Sequence, residues 1–258
     1  MESWISGPVE YCSVLSKGPS SKVAKCLRVQ PFQLFGVQHI VALLLVVLAS
    51  ALAFKAGRSR FSDVLNWLAA IFFVVYGAAL WWYKLADGLD LEYDLPLQLC
   101  DLIYLICLAC FFAPKPLLVT LATYWGLGGT VQALLTPDVS QAFPSAEFLI
   151  FFVGHSAIVV AIFFLLGRAP HKDLAGWEGL KTSFLYLLGY VVLAGAFNRL
   201  MKVNYGYLSS KPQGASVLDV MGPWPVYVFA GLGLALVLFA LTSGALKLLP
   251  LEPGVEPE

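Results

Sequence analysis

The chain has 258 residues, 59% of them apolar and only 12% charged, and its 16 basic and 16 acidic side chains cancel to zero net charge. A soluble domain carries about 45–50% apolar and about 25% charged residues, so lipid must solvate most of this chain. The missing basic stretches argue against a nucleic-acid partner.

Residues 1–33 hold Lys17, Lys22, Lys25 and Arg28 among Gly, Pro and Ser, without an apolar h-region. This reads as a polar leader, loose or interfacial, rather than a secretory signal. Seven apolar runs follow, at about 34–54, 65–85, 95–113, 117–135, 147–167, 180–200 and 225–249, each close to the roughly 20 residues that cross a hydrocarbon core. Strand-like alternation is missing, which argues against a transmembrane barrel. The expected fold class is therefore all-α, a polytopic transmembrane helical bundle of about seven spans. Residues 34–249 form one domain, and 250–258 are a disordered acidic tail.

"APKP" (113–116) leaves almost no linker between the third and fourth runs, so these should form a tight helical hairpin. Lys and Arg counts tie between the two sides. The acidic loop 86–94 and loop 136–146, which lacks Lys and Arg, lean towards N-out and C-in.

Ionisable groups at membrane depth usually face the bundle interior, and each is a functional candidate. Gln38 and His39 lie one turn into the first run, where the membrane interface can accommodate them. In the third run, Asp94 can cap the helix and Pro96 can occupy its first turn. At 100° per residue, Cys100, Asp101 and Tyr104 share one sector and Gln98 lies on its flank. Cys100 also sits near the positive end of the helix dipole, which favours a thiolate, while the charge of Asp101 beside it opposes one. The same sector would equally serve as helix glue.

The fourth run, "LATYWGLGGTVQALLTPD", offers Thr130 and Gln132 as hydrogen-bonding partners for the third. In the fifth, His155 lies eight residues past Glu147, about 12 Å into the helix, where it needs a partner. After the sixth run, Asn198, Arg199, Asn204, Tyr205 and Lys211 combine cations with aromatics at a membrane surface, which suits phospholipid headgroups.

Five cysteines, Cys12, Cys26, Cys100, Cys107 and Cys110, give no disulfide framework, and "CLAC" lacks the setting of a redox motif. Phosphate-loop, dinucleotide and H-E-x-x-H patterns are missing, and the last span has no mid-membrane lysine for retinal. Neither a cofactor nor a metal is expected.

Five motifs, "LPLQLCD", "YWGLGGTVQALLTPD", "FFVGHSAIVV", "NYGYLSSKP" and "LDVMGPWPVY", occur in an order that resembles the YwaF-like integral membrane family, related to transmembrane protein 164. The resemblance runs from about residue 35 to 240. It implies a phospholipid acyltransferase that uses the third-span cysteine, with more distant relatives that hydrolyse lipid esters. Carried over by motif, Cys100 is the expected nucleophile and His155 the expected base. Asp101 or Tyr104 would orient the base, and Gln98 or Gln132 would donate to the oxyanion. The chain departs from the family pattern at Gln98, where "LPLHLCD" is expected. The leading expectation is a membrane-embedded, lipid-modifying enzyme whose partners are membrane lipids, multi-pass in the cell membrane. The alternative is a non-enzymatic transporter or lipid-binding scaffold.

Overall fold

The computed structural model describes residues 9–13, 25–91, 94–168, 174–212 and 216–249. The expectations for Lys17, Lys22 and the acidic tail fall outside these residues. Within the leader, β1 (Val9–Ser13) pairs antiparallel with β2 (Lys25–Val29), Val9 opposite Val29.

The membrane domain comprises α1 (Val37–Gly57), α2 (Ser62–Asp87), α3 (Leu99–Phe112), α4 (Pro116–Trp125), α5 (Val131–Leu135), α6 (Ala146–Arg168), α7 (Trp177–Met201) and α8 (Val226–Leu248). A π-helical turn, Gly126–Thr130, joins α4 to α5, so Pro116–Leu135 runs as one 20-residue span. Among the described residues, six helices are thus long and apolar enough to cross a membrane, and α3 is a shorter apolar seventh. The protein is an integral, multi-pass membrane protein with an all-helical membrane domain.

Helix–helix approach is set by small residues, as expected where lipid supplies no hydrophobic drive between helices. A Cβ added at Gly57 would collide with the Phe164 carbonyl oxygen on α6, and one at Gly167 with the Phe54 carbonyl oxygen on α1. These two glycines let the α1 and α6 backbones touch. Gly167→Val is expected to cost about 1–3 kcal/mol by forced repacking. A drop in melting temperature in detergent micelles, matched by Gly57→Val but not by Gly189→Val, would show it, because a Cβ at Gly189 meets nothing within 4 Å.

The third helix departs from its expected limits. It begins at Leu99 with Gln98 as N-cap, not at Asp94 and Pro96. Asp94 instead closes a turn, its carboxylate accepting from the Asp90 N–H at 2.7 Å while its own N–H donates to the Asp90 carbonyl at 2.8 Å. The 14 residues of α3 rise about 21 Å, short of the roughly 30 Å hydrocarbon core.

Depth follows from that length. The tight Ala113–Lys115 link fixes the far end of the hairpin, and the returning 20-residue span climbs about 30 Å, so Leu99 stops about 9 Å below Leu135. The chain before α3 therefore enters the bundle as non-helical backbone, which is tolerable at such depth only where protein supplies partners. Those partners are present. The Tyr205 hydroxyl donates to the Leu91 carbonyl at 2.7 Å and accepts from the Leu95 N–H at 3.0 Å. The Tyr190 hydroxyl donates to the Leu97 carbonyl at 3.0 Å. The Gly206 N–H donates to Gln98 Oε1 at 2.9 Å.

Candidate functional site

A cavity of about 720 Å³ opens between α2, the start of α3 and α6. Gln98, Cys100, Asp101 and Tyr104 all line it, and so does His155. The sector read at 100° per residue thus faces one space, and the lone mid-span histidine faces the same space. The depths agree as well. With α3 starting about 9 Å below the membrane end that His155 sits about 12 Å beneath, thiol and imidazole lie at similar levels.

Each side chain has a local reason for its position. Gln98 is the N-cap, so Cys100 and Asp101 are the second and third residues of α3. First-turn N–H groups have no intrahelical acceptor and carry the positive end of the dipole. Asp101 turns back towards the Gln98 N–H, as an acidic third residue commonly does. Tyr104 donates to the Phe73 carbonyl on α2 and stacks on the Phe73 ring at 4.5 Å.

His155 Nδ1 lies 2.8 Å from the Phe151 carbonyl oxygen. A carbonyl only accepts, so Nδ1 carries the proton and neutral imidazole keeps its lone pair on Nε2. The ring also stacks on Phe151 at 4.1 Å. His39 is different. It is fully buried rather than interfacial, its Nδ1 accepting from the Phe35 N–H at 3.0 Å and its Nε2 donating to the Leu134 carbonyl at 2.8 Å. With both nitrogens engaged, His39 has no ring nitrogen to lend to chemistry.

Two contributors, Lys84 and Tyr76, had no clear sequence signal, whereas Thr130 is one of the hydrogen-bonding groups the sequence offers to the third span. Thr130, fully buried in the π turn, sits beside the Cys100 thiol, and its hydroxyl has no hydrogen-bond partner in the structure. π turns mark functional positions often enough to draw attention, but only coordinates reveal them. Lys84 lines the cavity and ties to Asp94, Nζ donating to its carbonyl at 3.1 Å and standing 3.7 Å from its carboxylate. Tyr76 lines the wall and donates to the Ile150 carbonyl at 2.7 Å.

The remaining candidates lie elsewhere. Gln132 does not line the cavity; its amide donates to Thr136 Oγ1 at 3.3 Å. Asn198, Arg199, Asn204, Tyr205 and Lys211 do not line it either. Asn198 is buried and clamps Tyr205 from both sides, donating to its carbonyl at 2.8 Å and accepting from its N–H at 2.9 Å. Asn204 ties the following turn, its Oδ1 accepting from the N–H groups of Ser209 and Ser210. Lys211 donates to the Asp219 carbonyl at 3.4 Å and lies over the Tyr227 ring, while Arg199 is exposed. Of these, Asn198 and Tyr205 build the support for the loop before α3.

Among the described residues, no group of three or more His, Cys, Asp or Glu side chains could hold a metal ion. The model of the TMEM164 family matches residues 34–243. Neither the curated proteins nor the solved structures contain a match.

Proposed function

The chain belongs to the TMEM164 family, and from that premise we propose that it is a cysteine-dependent phospholipid acyltransferase of the cell membrane. The observation that carries this reading is the shared cavity, in which a helix-N-terminal thiol and a histidine with a free Nε2 face one lipid-depth space.

In the first half-reaction, His155 Nε2 takes the Cys100 proton and the thiolate attacks the carbonyl carbon of a phospholipid ester. The C–O bond breaks, and the departing lysophospholipid oxygen receives the proton from His155. The acyl group is then a thioester on Cys100. In the second half, the hydroxyl of a lysophospholipid acceptor gives its proton to His155 and attacks the thioester carbonyl. The C–S bond breaks and the thiolate is restored.

Negative charge on the carbonyl oxygen develops beside the unpaired first-turn N–H groups of α3. Gln98 adds to them, since Gly206 holds its Oε1 and leaves the NH₂ end to donate. Lys84 at the polar end suits a lipid phosphate.

Lipidomics on cells expressing wild type, Cys100→Ala and His155→Ala tests the reading. The expected result is a phospholipid acyl profile altered by wild type alone. A profile identical across all three overturns it and leaves the cavity as a solute or lipid path.

A further inference from the structure

A second cavity, an apolar groove of about 830 Å³, runs between α1, α2 and α6. Ala49 and Ala53 of α1 form part of one wall and Phe111 part of another. Among the described residues, one side chain lines both the groove and the reacting cavity, namely Phe73. It is 3% exposed. Its ring stacks on Tyr104, which lines the reacting cavity, and meets Phe111, which lines the groove, edge-on at 5.2 Å.

From Cys100 the wall of the reacting cavity continues along α3 to Leu108, eight residues and about 12 Å further on. One leaflet of the hydrocarbon core is about 15 Å deep, and an ordinary lipid chain fills it. An acyl chain bound at Cys100 therefore outruns the cavity by a few methylenes. Its end meets the Phe73 partition, with apolar space on the far side.

We infer that Phe73 sets the acyl-chain length this protein accepts, and that the α1/α2/α6 groove takes the distal methylenes of longer acyl chains when that ring is removed. The inference rests on the thioester chemistry proposed above. Phe73 is a specificity-determining residue and has no part in proton transfer. The Tyr104 hydroxyl bonds to its backbone carbonyl, so a side-chain change leaves that bond in place.

The full-length protein in nanodiscs, given phosphatidylcholines of graded chain length, tests this by intact-protein mass spectrometry of the Cys100 thioester. Wild type is expected to show a length ceiling. Phe73→Ala, or Phe73→Leu if alanine does not fold, should relax discrimination against the first excluded methylene by about tenfold or more. Adding Ala49→Trp to the Phe73 variant should restore the ceiling by filling the groove.

Wild type without any thioester on Cys100 defeats the proposed function itself. A thioester with a ceiling that Phe73 variants leave unchanged defeats only the partition. A relaxed ceiling that Ala49→Trp does not restore shows that the chain leaves by another route, and removes the groove from the inference.

Discussion

His155→Asn is expected to lower acyl transfer about 10²–10⁴-fold, the usual contribution of one positioned general base, with little loss of folded protein. Asparagine keeps a donor close to the position of Nδ1, so the 2.8 Å bond to the Phe151 carbonyl has a replacement and no buried acceptor is orphaned. It supplies nothing at the position of Nε2, which accepts the proton in the proposed mechanism. His39→Asn should give the opposite result. That ring is fully buried and both nitrogens are bonded, so substitution leaves at least one backbone group unpaired, at about 1–3 kcal/mol. Stability should fall while transfer per folded molecule stays near wild type. Thermal unfolding and transfer measured on the same purified samples separate the two. If His155→Asn retains wild-type transfer, the base assignment is wrong.

The contrast between the two histidines shows what sequence can and cannot carry. The depth of His155 was readable from its distance to Glu147 and the helical rise. His39 reads as an interfacial residue until Leu134, 95 positions away, supplies its second partner. Periodicity likewise placed Cys100, Asp101 and Tyr104 on one face, because 100° per residue depends only on local helix geometry. The depth of Cys100 was not readable. Asp94 and Pro96 look like a helix start, yet the helix waits until Leu99. What permits the delay is a set of bonds from Tyr190, Tyr205 and Gly206, all roughly a hundred residues away in the chain.

The headgroup reading meets a related limit of composition. Asn, Tyr and Lys near a membrane surface suit lipid phosphates and also satisfy buried backbone. Asn198 and Tyr205 do the second, and no residue-type argument separates the two uses. Lys84 looks like an ordinary cation at a helix end, and only its place on the cavity wall sets it apart.

The support for α3 leads to the second large effect, which needs no change in the cavity. Tyr205→Phe removes one oxygen and with it two hydrogen bonds, leaving the Leu91 carbonyl and the Leu95 N–H without that partner. Each buried group left unpaired costs about 1–3 kcal/mol. The cost falls on the segment that ends at the N-cap of α3, so the loop loosens and Cys100 drifts within the cavity it shares with His155. A displacement near 1 Å is enough for about a 100-fold loss of rate. Tyr190→Phe, which releases only the Leu97 carbonyl, should lose less. Asn198→Ala should resemble Tyr205→Phe, because it frees the backbone of Tyr205 itself. Site-resolved alkylation of Cys100 by a membrane-permeant maleimide reads the displacement directly, alongside transfer. The expected order of effect is Tyr205→Phe above Tyr190→Phe, in both readouts. Alkylation and transfer both unchanged in Tyr205→Phe would mean that α3 holds its own start, and that the aromatic support merely fills the loop.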